Sequence, residues 1–308
     1  MKPLEFQGRI DIHTHSGDID LYNQLQNRLP TTQTVTELSD KSTTNHTTYT
    51  VTFPFGTTEY YDINHFLRKK TLIPSHKEDF PYQQANQILL NEKKPNILPF
   101  LAIDPLEKVS EQLDFLQQNL GQFFGLKHHT HQTQSSALDL IGNKITEFAI
   151  DNNLPILIHS GIDASLHPKN IIKLAQTYPQ LRVCIAHLAW FDNDSLEEVT
   201  KGDNIFIDCA PFSQLWERVR LGIIKTGRID LIDRDSPSQS LINYGQLLTD
   251  HLLWGTDEPY TQVVKPDKNQ SIIFGYTDEI RTIERVADNN LPIYDSITHV
   301  NPNRFLFG

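Results

Sequence analysis

The chain has 308 residues, 38% of them hydrophobic and 21% charged, which fits a globular protein with a sizeable core and excludes disordered, collagen-like and coiled-coil classes. Lysine and arginine number 27 against 38 acidic residues, a formal net charge of −11, which speaks against a nucleic-acid backbone as partner but leaves room for a local cationic pocket. Neither cysteine, Cys184 or Cys209, belongs to a disulfide framework or a Cys-x-x-Cys motif; MKPLEFQGRID lacks the apolar segment of a secretory signal and no run approaches the roughly 20 residues of a membrane span, so the cytoplasm is the expected location.

In chain order, short apolar or β-branched runs predict strands at 9–14 (RIDIHT), 48–54 (TYTVTFP), 96–103 (NILPFLAI), 123–128 (FFGLKH), 155–160 (PILIHS), 181–187 (LRVCIAH), 204–209 (NIFIDC) and 252–256 (LLWGT). Amphipathic segments lie between them, among them 105–120, 136–153, 167–179 and 213–225. Strands alternating with helices imply βα units and a parallel sheet, and eight such units imply a single-domain, distorted (β/α)8 TIM-like barrel over residues 1–308. An open doubly wound sheet is the competing architecture. Against it, no Gly-rich fingerprint follows the first strand, since Gly8 precedes it and Gly17 stands alone. Two stretches, near 17–47 (Thr-rich) and 226–247, do not fit the regular unit and read as rim insertions, either lids or surface excursions.

The chemistry concentrates where the strands end. In Asp11-Ile12-His13-Thr14-His15 the alternation of a strand puts His13 and His15 on one face, and Asp11 on the same parity one layer deeper. The fifth strand ends in His159, the sixth in His187 and the eighth in Asp257. If the strands surround one barrel, these ends converge at its C-terminal mouth, with the nitrogen and oxygen ligands that hydrolytic metal chemistry needs. Each residue taken singly could equally be a packed, hydrogen-bonded core group; five coincident placements favour ligation. A divalent ion makes water acidic, Asp257 is suited to hold the ion and accept the proton, and His187 to polarise a carbonyl, stabilise an oxyanion or bind a second ion. Asp11 reads as a carboxylate behind an imidazole or as a local structural hydrogen-bonder. Lys127, ending the fourth strand, is a carboxylated bridge between two ions, a substrate-binding ammonium or a buried ion-pair partner; the unmodified side chain is preferred. His129 shares its parity and is placed near substrate, whereas His128 should face the helices. Trp190 and Trp216, with Phe191 and Phe212, fall in mouth loops where they line an aromatic substrate site or simply pack.

Taken together, DIHTH, FGLKHH, PILIHSG, YPQLRVCIAHLAW, LLWGTDEPY, AIDP and the C-terminal VNPNRFLFG resemble, in order and over essentially the whole chain, the amidohydrolase-related branch of the amidohydrolase superfamily, which includes aminocarboxymuconate semialdehyde decarboxylase. The resemblance implies a distorted barrel with one or two divalent ions, Zn2+ first among them. His13, His15, His159 and Asp257 match the ligands of a mononuclear site, His187 the catalytic or second-metal histidine, and Lys127 the position of the bridging carboxylate. The Thr-rich stretch and Glu258 depart from the pattern. Two reactions follow: hydrolysis of a lactone, ester or amide by metal-activated water, or non-oxidative decarboxylation of an unsaturated or aromatic acid. For the latter, Arg218 and Arg220 are candidate cations, although their helical spacing favours a solvated face. A non-catalytic metal-binding barrel is the third reading, and the absence of G-x-S-x-G disfavours a serine hydrolase. The expected partner is a small molecule, with no nucleic acid or membrane and with self-association open.

Overall fold

The computed structural model describes residues 6–18, 32–55, 58–260, 262–264 and 271–308. Every apolar run named above carries a strand: β1 Ile10–Asp18, β2 Thr32–Gln33, β3 Tyr49–Pro54, β4 Ile97–Ile103, β5 Gly125–His128, β6 Ile156–Ile158, β7 Val183–Ile185, β8 Ile205–Asp208 and β9 Leu252–Leu253. The sheet order is β2-β1-β3-β4-β5-β6-β7-β8-β9. Only β2 is antiparallel within it, pairing Gly17 with Gln33. The remaining strands form a parallel series that closes on itself: Ile12 N–H donates to Trp254 O (3.1 Å), Asp257 N–H to His13 O (2.7 Å) and His15 N–H to Glu258 O (2.7 Å). The fold is a distorted (β/α)8 barrel.

Period-two alternation sorts the strand residues into two cores. Ile10, Ile12, Val51, Leu98, Phe100, Leu157, Cys184, Phe206 and Leu253 fill the lumen, sealed below by Phe305 and Leu306 of the C-terminal helix Asn301–Phe307. Arg182 holds that helix by donating to the carbonyls of Phe305 (2.8 Å) and Leu306 (3.2 Å). Outward residues such as Leu101, Leu126, Ile156, Ile158, Val183, Ile185 and Ile207 pack under the surrounding helices.

The two expected insertions are only partly irregular. From Val35 to Thr44 the first is a helix, opened by a capping box in which Thr34 accepts from Glu37 N–H and Glu37 reaches back to Thr34. Its buried stripe is Val35, Leu38, Ser39 and Ser42, so small hydroxyl residues occupy helical positions where apolar ones would have signalled it. Residues 19–31 of that stretch lie outside the described residues. In the second, Ser236 caps the helix Pro237–Leu248, which buries Leu241, Ile242, Tyr244 and Leu248. Among the described residues no helix is long and apolar enough to cross a membrane.

Candidate metal centre

Above the apolar lumen the inward positions change character. A register shift between Asp11 and Thr14 interrupts the pairing of β1 with β3. Below it Ile10 and Ile12 face the lumen; above it His13 and His15 do, so a bulge re-aims the strand at the site. Asp11 therefore does not share the histidines' face. It accepts from Thr256 Oγ1 (2.8 Å), Thr256 N–H (3.1 Å) and His13 N–H (3.2 Å), touching no imidazole, and burial raises its carboxyl to about 7. Of the two readings of Asp11, the local structural one holds.

His13 Nε2 and His15 Nε2 lie 3.2 and 3.1 Å from the same oxygen, Asp257 Oδ1. These three atoms belong to a buried group able to hold a cation. Ligands about 2.1 Å from a tetrahedral ion stand about 3.4 Å apart, so the spacing suits a divalent cation. Gly255 lets the eighth strand come this close, because a Cβ there would meet His13 Cβ at 2.8 Å. Asp257 itself sits in the left-handed region (φ 57°).

The electrostatics suit ligation. Burial opposes ionisation of Asp257, but His13 and His15 outweigh it and hold the carboxyl well below the usual range. Burial pushes His15 down to about 4 and lowers His187, and takes His159 and His129 well below the ordinary value, leaving neutral imidazoles with a lone pair. His13 goes the other way: burial and Lys127 press it down, but Asp208 and Asp257 win. His15 Nδ1 is buried without a hydrogen-bond partner.

His187 begins five residues, through Phe191, that all adopt left-handed geometry (φ 47° to 63°), a conformation that costs L-residues roughly 1–2 kcal/mol each. Several contacts hold them. His187 Nδ1 meets Ala210 O at 2.6 Å, Trp190 Nε1–H donates to Ser160 O (2.8 Å), and Arg228 N–H donates to Phe191 O (2.8 Å). Gly227 is required there, since a Cβ would meet Phe191 O at 2.0 Å.

His159 stands outside the triad. Its Nδ1 is 3.0 Å from His187 Nε2 and its ring stacks on His129, centroids 4.2 Å apart. Lys127 Nζ lies 3.5 Å from His13 Nε2 and 4.3 Å from the Phe53 ring centre, and burial lowers it to about 8. His128 faces outward to Ser135 Oγ (2.7 Å). Trp190 is at the mouth with its N–H committed. Trp216 is not brought to the cluster by any contact among the described residues: it donates to Asp233 O (2.7 Å) and its ring lies under Arg220. Phe55 stacks on His15 and Tyr260 meets it edge-on, forming an aromatic wall that the sequence had not singled out.

The main omission is Asp208. It ends β8, much as His159 and Asp257 follow β6 and β9, and its Oδ2 lies 2.9 Å from His13 Nδ1. A second buried group able to hold a cation combines it with His13 and His187. The strand-end rule that found the other residues applies equally to NIFIDC.

Comparison of the sequence with protein-family models and with curated proteins returns no match. Solved structures do resemble it. An amidohydrolase from Burkholderia multivorans with bound HEPES superposes with a TM-score of 0.60 at 11% identity, covering 98% of this chain and 100% of that one. Amidohydrolase 2 from Bifidobacterium longum subsp. infantis gives 0.57 at 13% identity, covering 98% and 99%. The 5-carboxyvanillate decarboxylase of Novosphingobium aromaticivorans, complexed with manganese and 4-hydroxy-3-methoxy-5-nitrobenzoic acid, gives 0.58 at 10% identity, covering 99% of each chain. The chain shares its fold with these amidohydrolase structures along nearly its whole length.

Proposed function

We propose that this chain is a metal-dependent hydrolase of the amidohydrolase superfamily, cleaving a C–O or C–N bond in a small lactone, ester or amide. One observation carries the reading: two imidazole nitrogens, each 3.1–3.2 Å from one carboxylate oxygen, converge at the C-terminal mouth of a barrel. A divalent ion held by His13, His15 and Asp257, with Zn2+ the best match to this donor set, supplies Lewis acidity that activates water and polarises a carbonyl. His159, which borders the triad through His187, would complete the ligand set in this reading. Asp257 would help hold the ion and would accept the attacking water's proton and return it to the leaving group. His187, its Nδ1–H given to Ala210 O, keeps Nε2, 3.0 Å from His159 Nδ1, as an acceptor or as a ligand of a second ion. Phe55, Tyr260 and Trp190 favour a flat, unsaturated substrate.

A second reading, decarboxylation, draws on Lys127, a buried cation with no ion pair among the described residues, positioned to hold a carboxylate. Elemental analysis of chelator-free protein should find one or two divalent ions per chain, and none in folded protein overturns both readings. A panel of lactones, esters and amides beside unsaturated and aromatic acids, read for acid release and for CO2, separates them: CO2 alone overturns hydrolysis.

A further inference from the structure

The carboxylate of Asp208 reaches two parts of the site at once. It is fully buried at the end of β8. Its Oδ2 lies 2.9 Å from His13 Nδ1 and also accepts from Cys184 Sγ–H at 3.7 Å. Its Oδ1 accepts from His187 N–H and Ala210 N–H, both at 3.0 Å. A carboxylate is acceptor-only, so His13 Nδ1 carries the proton that points at Asp208, and Nε2 is left as the nitrogen that can take a cation. Nε2 is the atom beside Asp257 Oδ1. On the other side, the same carboxylate anchors the first residue of the left-handed turn and the residue whose carbonyl fixes His187 Nδ1.

We propose that Asp208 is a positioning residue of the metal centre: it sets the His13 tautomer, so that Nε2 is free to ligate, and it pins the turn that presents His187. The inference rests on the metal-centre reading above, but its hydrogen-bond half stands in metal-free protein. Asp208→Asn keeps the shape and replaces one acceptor oxygen by an N–H2 donor. Facing His13, that donor drives the imidazole proton to Nε2, and facing the backbone it loses His187 and Ala210.

The test has two readouts. Imidazole 15N spectra of metal-free protein report which ring nitrogens are protonated; wild type should hold a proton on His13 Nδ1, and D208N should lose it from Nδ1 or leave that nitrogen mixed. Competition titration with buffered Zn2+ reports affinity, and D208N should bind about 10- to 100-fold more weakly. Asp11→Asn is the control, because Asp11 is equally buried but meets His13 only at its backbone N–H, and His13 should there be protonated as in wild type. An unchanged tautomer with affinity within about twofold in folded D208N overturns the proposal. If D208N does not fold, a wild-type His13 with no proton on Nδ1 still overturns it. If wild type binds no divalent ion, the metal-centre reading falls, while the tautomer result separately decides what Asp208 does to His13.

Discussion

The lower and upper halves of the lumen are built from the same strands and are equally buried, yet hold opposite chemistries. Phe100 in the lower half and His13 and Asp208 in the upper half are all 0% exposed. Below, aliphatic and aromatic side chains gain free energy in proportion to the area removed from water, about 25 cal/mol per Å². Above, each ionised group pays desolvation that only its neighbours offset. The difference separates what holds the barrel together from what the barrel is for, and each half should break in its own way.

The largest effect is expected from Asp257→Asn. Replacing the carboxylate shared by His13 and His15 with a neutral amide should lower turnover by about 1,000-fold or more, judged against the 10²–10⁴ that general bases contribute, with far-UV circular dichroism and fold unchanged. Substantial activity in the variant would reject the assigned role. Phe100→Ala is the mirror experiment. It opens a cavity in the lower layer and should destabilise by about 3–5 kcal/mol in chemical denaturation. Turnover per folded molecule should remain near wild type, and a large loss would show that the two halves are not separable.

Metal supply sharpens the contrast. Free ion at a hundredfold excess over its Kd should stabilise by about 2.7 kcal/mol, seen as a rise in Tm that chelation reverses. Phe100→Ala should keep that rise and Asp257→Asn should lose it.

The strands were legible because fully buried parallel strands are continuous apolar runs, and the site was legible because polar residues interrupt those runs at their ends. What escaped had other causes. The helix Val35–Thr44 buries serines at its core-facing positions. Asp11 was assigned to the histidines' face because a bulge, which no residue in RIDIHT announces, shifts the alternation. His159 fits the strand-end pattern, yet its ring stacks on His129, a rotamer choice that spacing does not encode. Trp216 follows the seventh strand in sequence but spends its N–H on Asp233, because helical rotation decides which way a residue past the mouth faces. Asp208 was within reach of the rule that found its neighbours and was read only as part of the strand.

The smallest predicted effect concerns a buried acid outside the lumen. Glu279, on the helix Tyr276–Asn289, accepts Ser213 N–H with Oε1 (2.8 Å), while Oε2 has no partner among the described residues. Burial raises its carboxyl from the ordinary 4.5 to about 8, the opposite of Asp257. Between those two values the folded chain holds a proton that the unfolded chain has released, so this group makes stability fall as pH rises through the window and level off above about 8. Asp257, held low, contributes stability above the ordinary carboxylate range that is lost only as acid protonates the folded form. Glu279→Gln keeps the carbonyl acceptor and removes the ionisation. The unfolding free energy should match wild type near pH 5 and exceed it at pH 8.5 by at least about 1 kcal/mol. A variant that is no more stable than wild type at the higher pH would mean that the carboxylate ionises in place without penalty, through water reaching Oε2. The helix layer would then share the tolerance for charge that otherwise marks the mouth.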